Sequence, residues 1–294
     1  MSRDSAAPRD TVGIEPRAHL DFDLQGDIPR YWFGGDAFKT RFFDAMSTLF
    51  PDGERFFIAC VRDYRDQISD PTLQAQVKDF IFQEAQHGLQ HDRYNDRLRA
   101  QGIRVDRIQE NNRTAINWMR RWTPKTWTLS MTAAAEHLTA IMAHAFLGNQ
   151  KLFAEADPRM RALYFWHAIE EIEHKAVAFD VMLGPAKVGY FTRVFGLIAE
   201  TLAFPLSTFL IVNHMLRVDQ AGSRWRLWWR GLKWLYGPGG LMMQLLPHYL
   251  EYFKPGFHPW RSGRMQAFEQ WQQAYRNSGG NPIAASEATL AASA

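Results

Sequence analysis

Two segments of this chain carry the same spacing, EAQH at Glu84–His87 and EIEH at Glu171–His174. Each follows a lone glutamate, Glu54 by 30 residues in the first case and Glu136 by 35 in the second. On a helix, positions i and i+3 share a face, so each strip offers a carboxylate and an imidazole to the same neighbour. The order Glu, Glu-x-x-His, Glu, Glu-x-x-His reads as an approximate duplication of a two-helix unit. Four carboxylates converging in an apolar interior would repel one another and be protonated or expelled, unless cations neutralise them. That requirement restricts the fold more than any other feature of the sequence.

Helix punctuation supports the two-helix unit. Asp70-Pro71, Thr123-Pro124 and Asp157-Pro158 each place a capping residue before a proline at the first helical position, and Pro51-Asp52 offers a weaker version. Strand signals are nearly absent. The expected helices are 52–68, 71–101, 124–148 and 158–183, with 103–123 as a crossover between the pairs. Glu54 stands 14 residues before Ile68 and Glu84 13 residues after Pro71; Glu136 stands 12 before Gly148 and Glu171 13 after Pro158. At about 1.5 Å per residue, all four carboxylates fall in one layer, roughly 20 Å from the connecting turns. The fold class predicted is all-α, a four-helix bundle with an additional apolar, Trp-rich helical C-terminal region.

Two bridging and two terminal glutamates with one imidazole per metal is the pattern of di-iron and di-manganese carboxylate bundles. Oxygen and imidazole donors without thiolate suit iron, or manganese, over a structural zinc. Glu54, Glu84, His87, Glu136, Glu171 and His174 are the candidate ligands. His167 shares the i, i+4, i+7 face with Glu171 and His174, either as a further ligand or as a hydrogen-bond partner of one. His91 and Glu170 are candidates for supporting roles around the ligands. His137 is expected to pack between helices, His144 lies two turns on from Glu136, and Cys60 reads as a small buried apolar residue.

On these motifs the chain resembles the ferritin-like di-iron superfamily over roughly residues 50–183. His167, Glu171 and His174 are similar to the His-x3-Glu-x2-His of the di-iron arylamine N-oxygenases, a resemblance that implies a third histidine ligand on one metal. The segments FPDGERFF, EAQHGLQH, AAAEHLTA, HAIEEIEHKAVAFD and FKPGFHPW resemble the bacterial family labelled predicted metal-dependent hydrolase. These resemblances imply a metal-dependent enzyme with two irons (or manganese or zinc). The leading expectation is O2-activating oxidation of a hydrophobic small molecule, with an electron-donor protein as a partner. The alternative is hydrolysis of an ester or phosphoester by a metal-activated water. A non-catalytic metal store or redox sensor uses the same ligands.

Beyond Gly184-Pro185 the composition shifts. Residues 194–216, between Arg193 and Arg217, are apolar but interrupted by Glu200 and Pro205, and read as a core helix. In RWRLWWRGLKWLYG, Trp225, Trp228, Trp229 and Leu232 are expected on one face and Arg226, Arg230 and Lys233 on another, the pattern of a helix at an anionic membrane surface. A lid packing its tryptophans onto the bundle is the other reading. Domain expectations are an extended or disordered segment 1–30, the di-metal bundle 31–185, a helical cover or membrane-surface region 186–262, and a terminal helix with disordered tail 263–294. Net charge of +3 gives no reason to expect nucleic acid. The single cysteine fits a reducing compartment, and residues 1–25 lack an apolar signal core. The location expected is cytoplasmic, peripheral on the inner membrane face.

Overall fold

The computed structural model describes residues 13–262 and 265–292, and the regular elements among them are all helical. They are α1 (Ala37–Arg62), α2 (Pro71–Ala100), α3 (Val105–Trp122), α4 (Lys125–Gly148), α5 (Pro158–His174), α6 (Val177–Leu183), α7 (Tyr190–Val218), α8 (Arg224–Tyr236), α9 (Leu241–Glu251), α10 (Gln266–Asn277) and α11 (Pro282–Ala291). The all-α class is as expected. α1 packs on α2 and α4 on α5, while α1–α4 and α2–α5 contacts close the arrangement.

The first helix departs from its expected 52–68. It begins at Ala37, where Gly34 and Gly35 turn the chain at positive φ and the Asp36 carboxylate accepts from the Phe38 and Lys39 amides. Pro51-Asp52 is therefore no start; Pro51 lies inside α1. A proline there frees the carbonyl four residues back, and the Ser47 carbonyl accepts instead from Asn95 Nδ2 at 3.0 Å. The helix ends at Arg62, short of Ile68, and a 3₁₀ turn at Arg65–Gln67 completes the connection.

The Asp-Pro caps are as expected: Asp70 accepts from the Thr72 amide and Asp157 from the Arg159 amide. Thr123 differs, because Pro124 takes the cap position and the Thr123 hydroxyl donates back to the Met119 carbonyl. The crossover 103–123 is itself largely helix, α3. The expected helix 158–183 is broken after His174 into α5 and α6.

Along each of the paired helices a polar layer interrupts two apolar clusters. One cluster takes Phe43 and Met46 of α1, Tyr94 and Leu98 of α2, Ile141 of α4 and Leu163 of α5. The other takes Phe56 and Val61, Phe80, Leu129, and Phe179 of α6. Between them, on every helix, lie the acidic and imidazole residues.

The C-terminal helices cover this assembly. α7 lies on α1 and α4, and its Gly196 crosses so close that a Cβ would stand 2.7 Å from Ser130 Oγ. α8 lies on α1 with Gly231 directly over the Phe38 ring, where a Cβ would stand 2.2 Å from the nearest ring carbon. Trp228 packs inward against Phe38 and Phe209, off the outer face that holds Trp225 and Trp229. The tail 279–294, read as disordered, contains α11, capped by Asn281 ahead of Pro282 and packed on α5. Its alanines are the strongest helix formers, so small-residue content was a helix signal there. In the N-terminal segment, residues 13–35 run without a helix yet bury Leu20, Phe22, Leu24 and Ile28, so this part is extended and packed; residues 1–12 lie outside the described residues.

Candidate metal centre

The polar layer collects all seven expected ligand residues. Glu54 comes from α1, Glu84 and His87 from α2, Glu136 from α4, and His167, Glu171 and His174 from α5; each is less than a tenth exposed. Donor atoms of Glu54, His87 and His167 lie within 4.8 Å of one another, as do those of Glu84, Glu171 and His174. Glu136 joins the second group, its Oε2 3.4 Å from His174 Nε2, and Glu84 Oε1 is 3.1 Å from the same nitrogen. Glu54 meets α2 at Gly88, where a Cβ would stand 3.1 Å from its carboxylate, so the glycine admits the side chain.

Each imidazole is oriented from behind by a partner on the opposite motif. Glu170, immediately before Glu171, accepts from His87 Nε2 at 3.0 Å. Gln83, immediately before Glu84, accepts on Oε1 from His174 Nδ1 at 2.9 Å, while its Nε2 donates to Glu173 and to the Glu15 carbonyl. The two helices thus exchange supports, and the network assigns the tautomers: His87 turns Nδ1, and His174 turns Nε2, bare toward the cluster. Arg17, from the N-terminal segment, joins both arms. It donates to Glu170 at 3.1 Å and to Glu173 at 2.7 and 3.0 Å, and all three side chains are buried.

His167 is set by a longer chain. Asn95 Oδ1 can only accept, so the Ser47 hydroxyl donates to it at 3.1 Å, and Ser47 Oγ accepts from His91 Nδ1 at 2.9 Å. His91 Nε2 then accepts from His167 Nδ1 at 2.8 Å. His167 Nε2 is left bare, 3.0 Å from Glu171 Oε1. Two lone pairs face each other there without a proton, a contact that a cation between them resolves.

The residues fit a pair of cations on a second count. Both carboxylate oxygens of Glu54 and of Glu84, Glu136 Oε2, His87 Nδ1 and His174 Nε2 are buried without hydrogen-bond partners. Buried polar atoms are rarely left so, and here they converge on one place. Burial foremost, with repulsion from Glu84 and Glu171, drives the Glu54 and Glu136 carboxyls well above the usual carboxylate range. Burial opposes protonation of His87, yet its hydrogen bond to Glu170 and the nearby Glu84 carboxylate lift it to about 10. The cluster draws in protons wherever cations do not supply the charge; two divalent ions would balance its four carboxylates.

An apolar cavity of about 260 Å³ adjoins the layer, walled by Phe50, Phe56, Met131, Leu138 and Phe204 among others. Thr139 lines it and donates its hydroxyl to Glu171; a small extension past Phe50 and Thr139 reaches His167 and Glu171. Glu200, half-buried, is the one ionisable wall residue of the cavity among the described residues. His137 packs on Tyr252 and Phe257, and His144 on His248, so neither enters the cluster; Cys60 is fully buried. Sequence reading missed Arg17, Gln83, Glu173, Ser47 and Thr139. A signal existed for one of them: both Glu-x-x-His strips are preceded by a polar residue, Gln83 in one and Glu170 in the other.

No curated protein and no solved structure matches the chain. Residues 16–263 match the family described as predicted metal-dependent hydrolase, a span that takes in Arg17, every candidate ligand and the cavity. The chain belongs to the predicted metal-dependent hydrolase family.

Proposed function

We propose that this protein is a two-metal hydrolase that cleaves a carboxylic ester or related acyl bond in an apolar small molecule. Glu54, Glu84, His87, Glu136, His167, Glu171 and His174 are the ligands, held by α1, α2, α4 and α5 in a ferritin-like arrangement. The carrying observation is the convergence of unpartnered buried donor atoms on one layer beside an apolar cavity. Family membership favours hydrolysis over the oxidation that the ligand pattern alone put first. Phosphoesters fit poorly, because among the described residues no cation lines the cavity and the one ionisable wall group is acidic. When bound, the cations supply Lewis acidity at the cavity's inner end. The protein's own part is positional. Gln83, Glu170 and Arg17 hold His87 and His174 in their tautomers, Thr139 holds Glu171, and the aromatic walls seat the apolar portion of the substrate and exclude bulk water.

O2-dependent oxidation is the second reading, favoured by the donor set itself: four carboxylates, three imidazoles and no thiolate, a set suited to iron. Two irons, O2 and an electron-donor protein are its requirements. The separating experiment measures metals per chain, then assays aryl esters of short and long acyl chains with zinc- or manganese-loaded protein under anaerobic conditions. Turnover that survives without O2 and falls in a Glu84→Ala variant supports hydrolysis. No turnover with any metal, together with O2 uptake by reduced iron-loaded protein, moves the assignment to oxidation.

A further inference from the structure

The outer faces of α7, α8 and α9 are apolar, exposed and adjacent. On α7, Phe191, Phe195, Ile198, Leu202, Leu206 and Leu210 recur at three- and four-residue steps, forming a stripe about 28 Å long. Phe191 is 73% exposed and Leu202 68%, so the stripe faces fully outward. α8 continues it: Trp225, Trp229, Leu232 and Tyr236 lie outside, and Trp225 is 75% exposed. α8 and α9 pack on each other and both touch α7, through Phe209 against Trp228 and through the Thr201–Tyr249 hydrogen bond. The inner side of α8 is already occupied, with Gly231 on Phe38 and Leu235 buried, so its outer tryptophans are not a lid closed on the bundle.

We propose that this face docks on an anionic lipid bilayer, with α7 lying in the membrane plane. Charge selects the occupant. Arg217, Arg224, Arg226, Arg230 and Lys233 are exposed beside the stripe, and no acidic residue occurs between Asp219 and Glu251. Asp219 itself is buried against Arg41 at 2.6 and 2.7 Å. A twofold self-association would set these five cations against five more. An anionic surface pairs with them, while tryptophan and leucine enter the acyl boundary. α7 is long and apolar enough to cross a bilayer, but its other side is committed to protein. Gly196 abuts Ser130, Arg193 donates to the carbonyls of Tyr252 and Lys254, and Glu200 lines the cavity. The helix therefore lies on the membrane and does not span it.

Phe204 and Ser207, on the inner side of α7, line the apolar cavity. A molecule dissolved in the outer acyl layer is then one helix thickness from it, which points to a lipid-soluble substrate. That route rests on the function proposed above; the docking of the stripe does not.

The test is flotation of the metal-loaded full chain with vesicles of phosphatidylcholine alone and of phosphatidylcholine mixed with phosphatidylglycerol. Binding to the mixed vesicles at least roughly tenfold tighter, and weakened by salt, is expected. Arg226→Gln with Arg230→Gln should weaken it roughly 25-fold, taking about fivefold per cation. Trp225→Ser with Trp229→Ser should weaken it on both vesicle types. All four side chains are exposed, and far-UV circular dichroism verifies the fold of each variant. Absence of binding, or equal binding to both vesicles, overturns the proposal. A concentration-dependent dimer that ignores vesicles and is dispersed by Leu202→Gln with Leu206→Gln overturns it too, and assigns the stripe to a second copy.

Discussion

Replacing Arg17 by methionine tests whether the N-terminal segment is part of the metal centre. The stem of the side chain survives the change; the guanidinium, which lies over the Trp271 and Tyr275 rings, does not. Removing one partner of a buried ion pair costs about 3–5 kcal/mol. The two carboxylates left behind differ in what they retain. Glu173 still accepts from Gln83 Nε2 at 2.8 Å, Gln272 Nε2 at 3.0 Å and the Glu15 amide at 3.1 Å. Glu170 keeps only His87 Nε2. Glu170 is the stranded charge, so the expected loss is near the lower limit, about 3 kcal/mol. Loss of a group that orients a ligand lowers metal affinity roughly 10- to 100-fold. Urea unfolding of the chelated protein measures the first effect and metal retained after dialysis the second. Adding Glu170→Gln to Arg17→Met should restore about half the stability, because the uncompensated charge is gone, and should leave the metal affinity low. A loss under about 1 kcal/mol for Arg17→Met, or no gain from the second change, would refute the reasoning.

Three further outcomes follow from the same geometry. Chelation should lower the thermal midpoint, and metal returned at 100 times its dissociation constant should restore about 2.7 kcal/mol per bound ion, read by calorimetry; equal midpoints with and without metal would count against the ligand set. His91→Phe should cut metal retention roughly 10-fold or more without unfolding the protein, since His167 loses the acceptor that fixes its tautomer; mass-spectrometric metal analysis checks it. At Glu200, burial against the apolar cavity pushes the carboxyl from 4.5 up to about 7. The native state then holds a proton that the unfolded state has released, so stability is full below about pH 4.5 and falls as pH rises toward about 7. Glu200→Gln removes that loss: the variant should gain on the parent between those limits and hold its gain above them. The gain is on the order of 1–2 kcal/mol, discounted for the half-exposed position. Parallel unfolding curves at all pH values would contradict it.

The candidate ligands that the structure brings together could be read from the sequence because they obey one-helix arithmetic. His167, Glu171 and His174 recur on a single face, and the same count finds Glu84 and His87. Helix ends were less legible where a tertiary contact changed the meaning of a local signal. Pro51 reads as a start, and would act as one in an isolated peptide, but Asn95 from α2 takes the carbonyl the proline frees and lets α1 run through. The expected equality of heights is off by one turn in this pair. Glu54 lies opposite Gly88 and His87, one turn beyond Glu84, because the shorter helix is followed by a longer connection.

The supports of the ligands follow a different rule. Gln83 serves the histidine of α5 and Glu170 the histidine of α2, so each support stands beside one ligand in sequence and acts on the other helix. No periodicity within one helix contains that exchange. It becomes visible only when the two strips are compared with each other, as QEAQH beside EEIEH. Arg17 is beyond even that comparison, since it comes from a helix-free segment 66 residues before Gln83 and 153 before Glu170. Its position has a physical logic all the same. Glu170 and Glu173 are needed as carboxylates to keep protons on His87 and, through Gln83, on His174, and two such charges buried one turn apart require a cation. The chain brings that cation from its N-terminal segment. Metal affinity should then depend on how firmly residues 13–35 are seated, and loosening them by a Phe22→Ala change, at a ring that packs on Trp166, should release metal before it unfolds the helices.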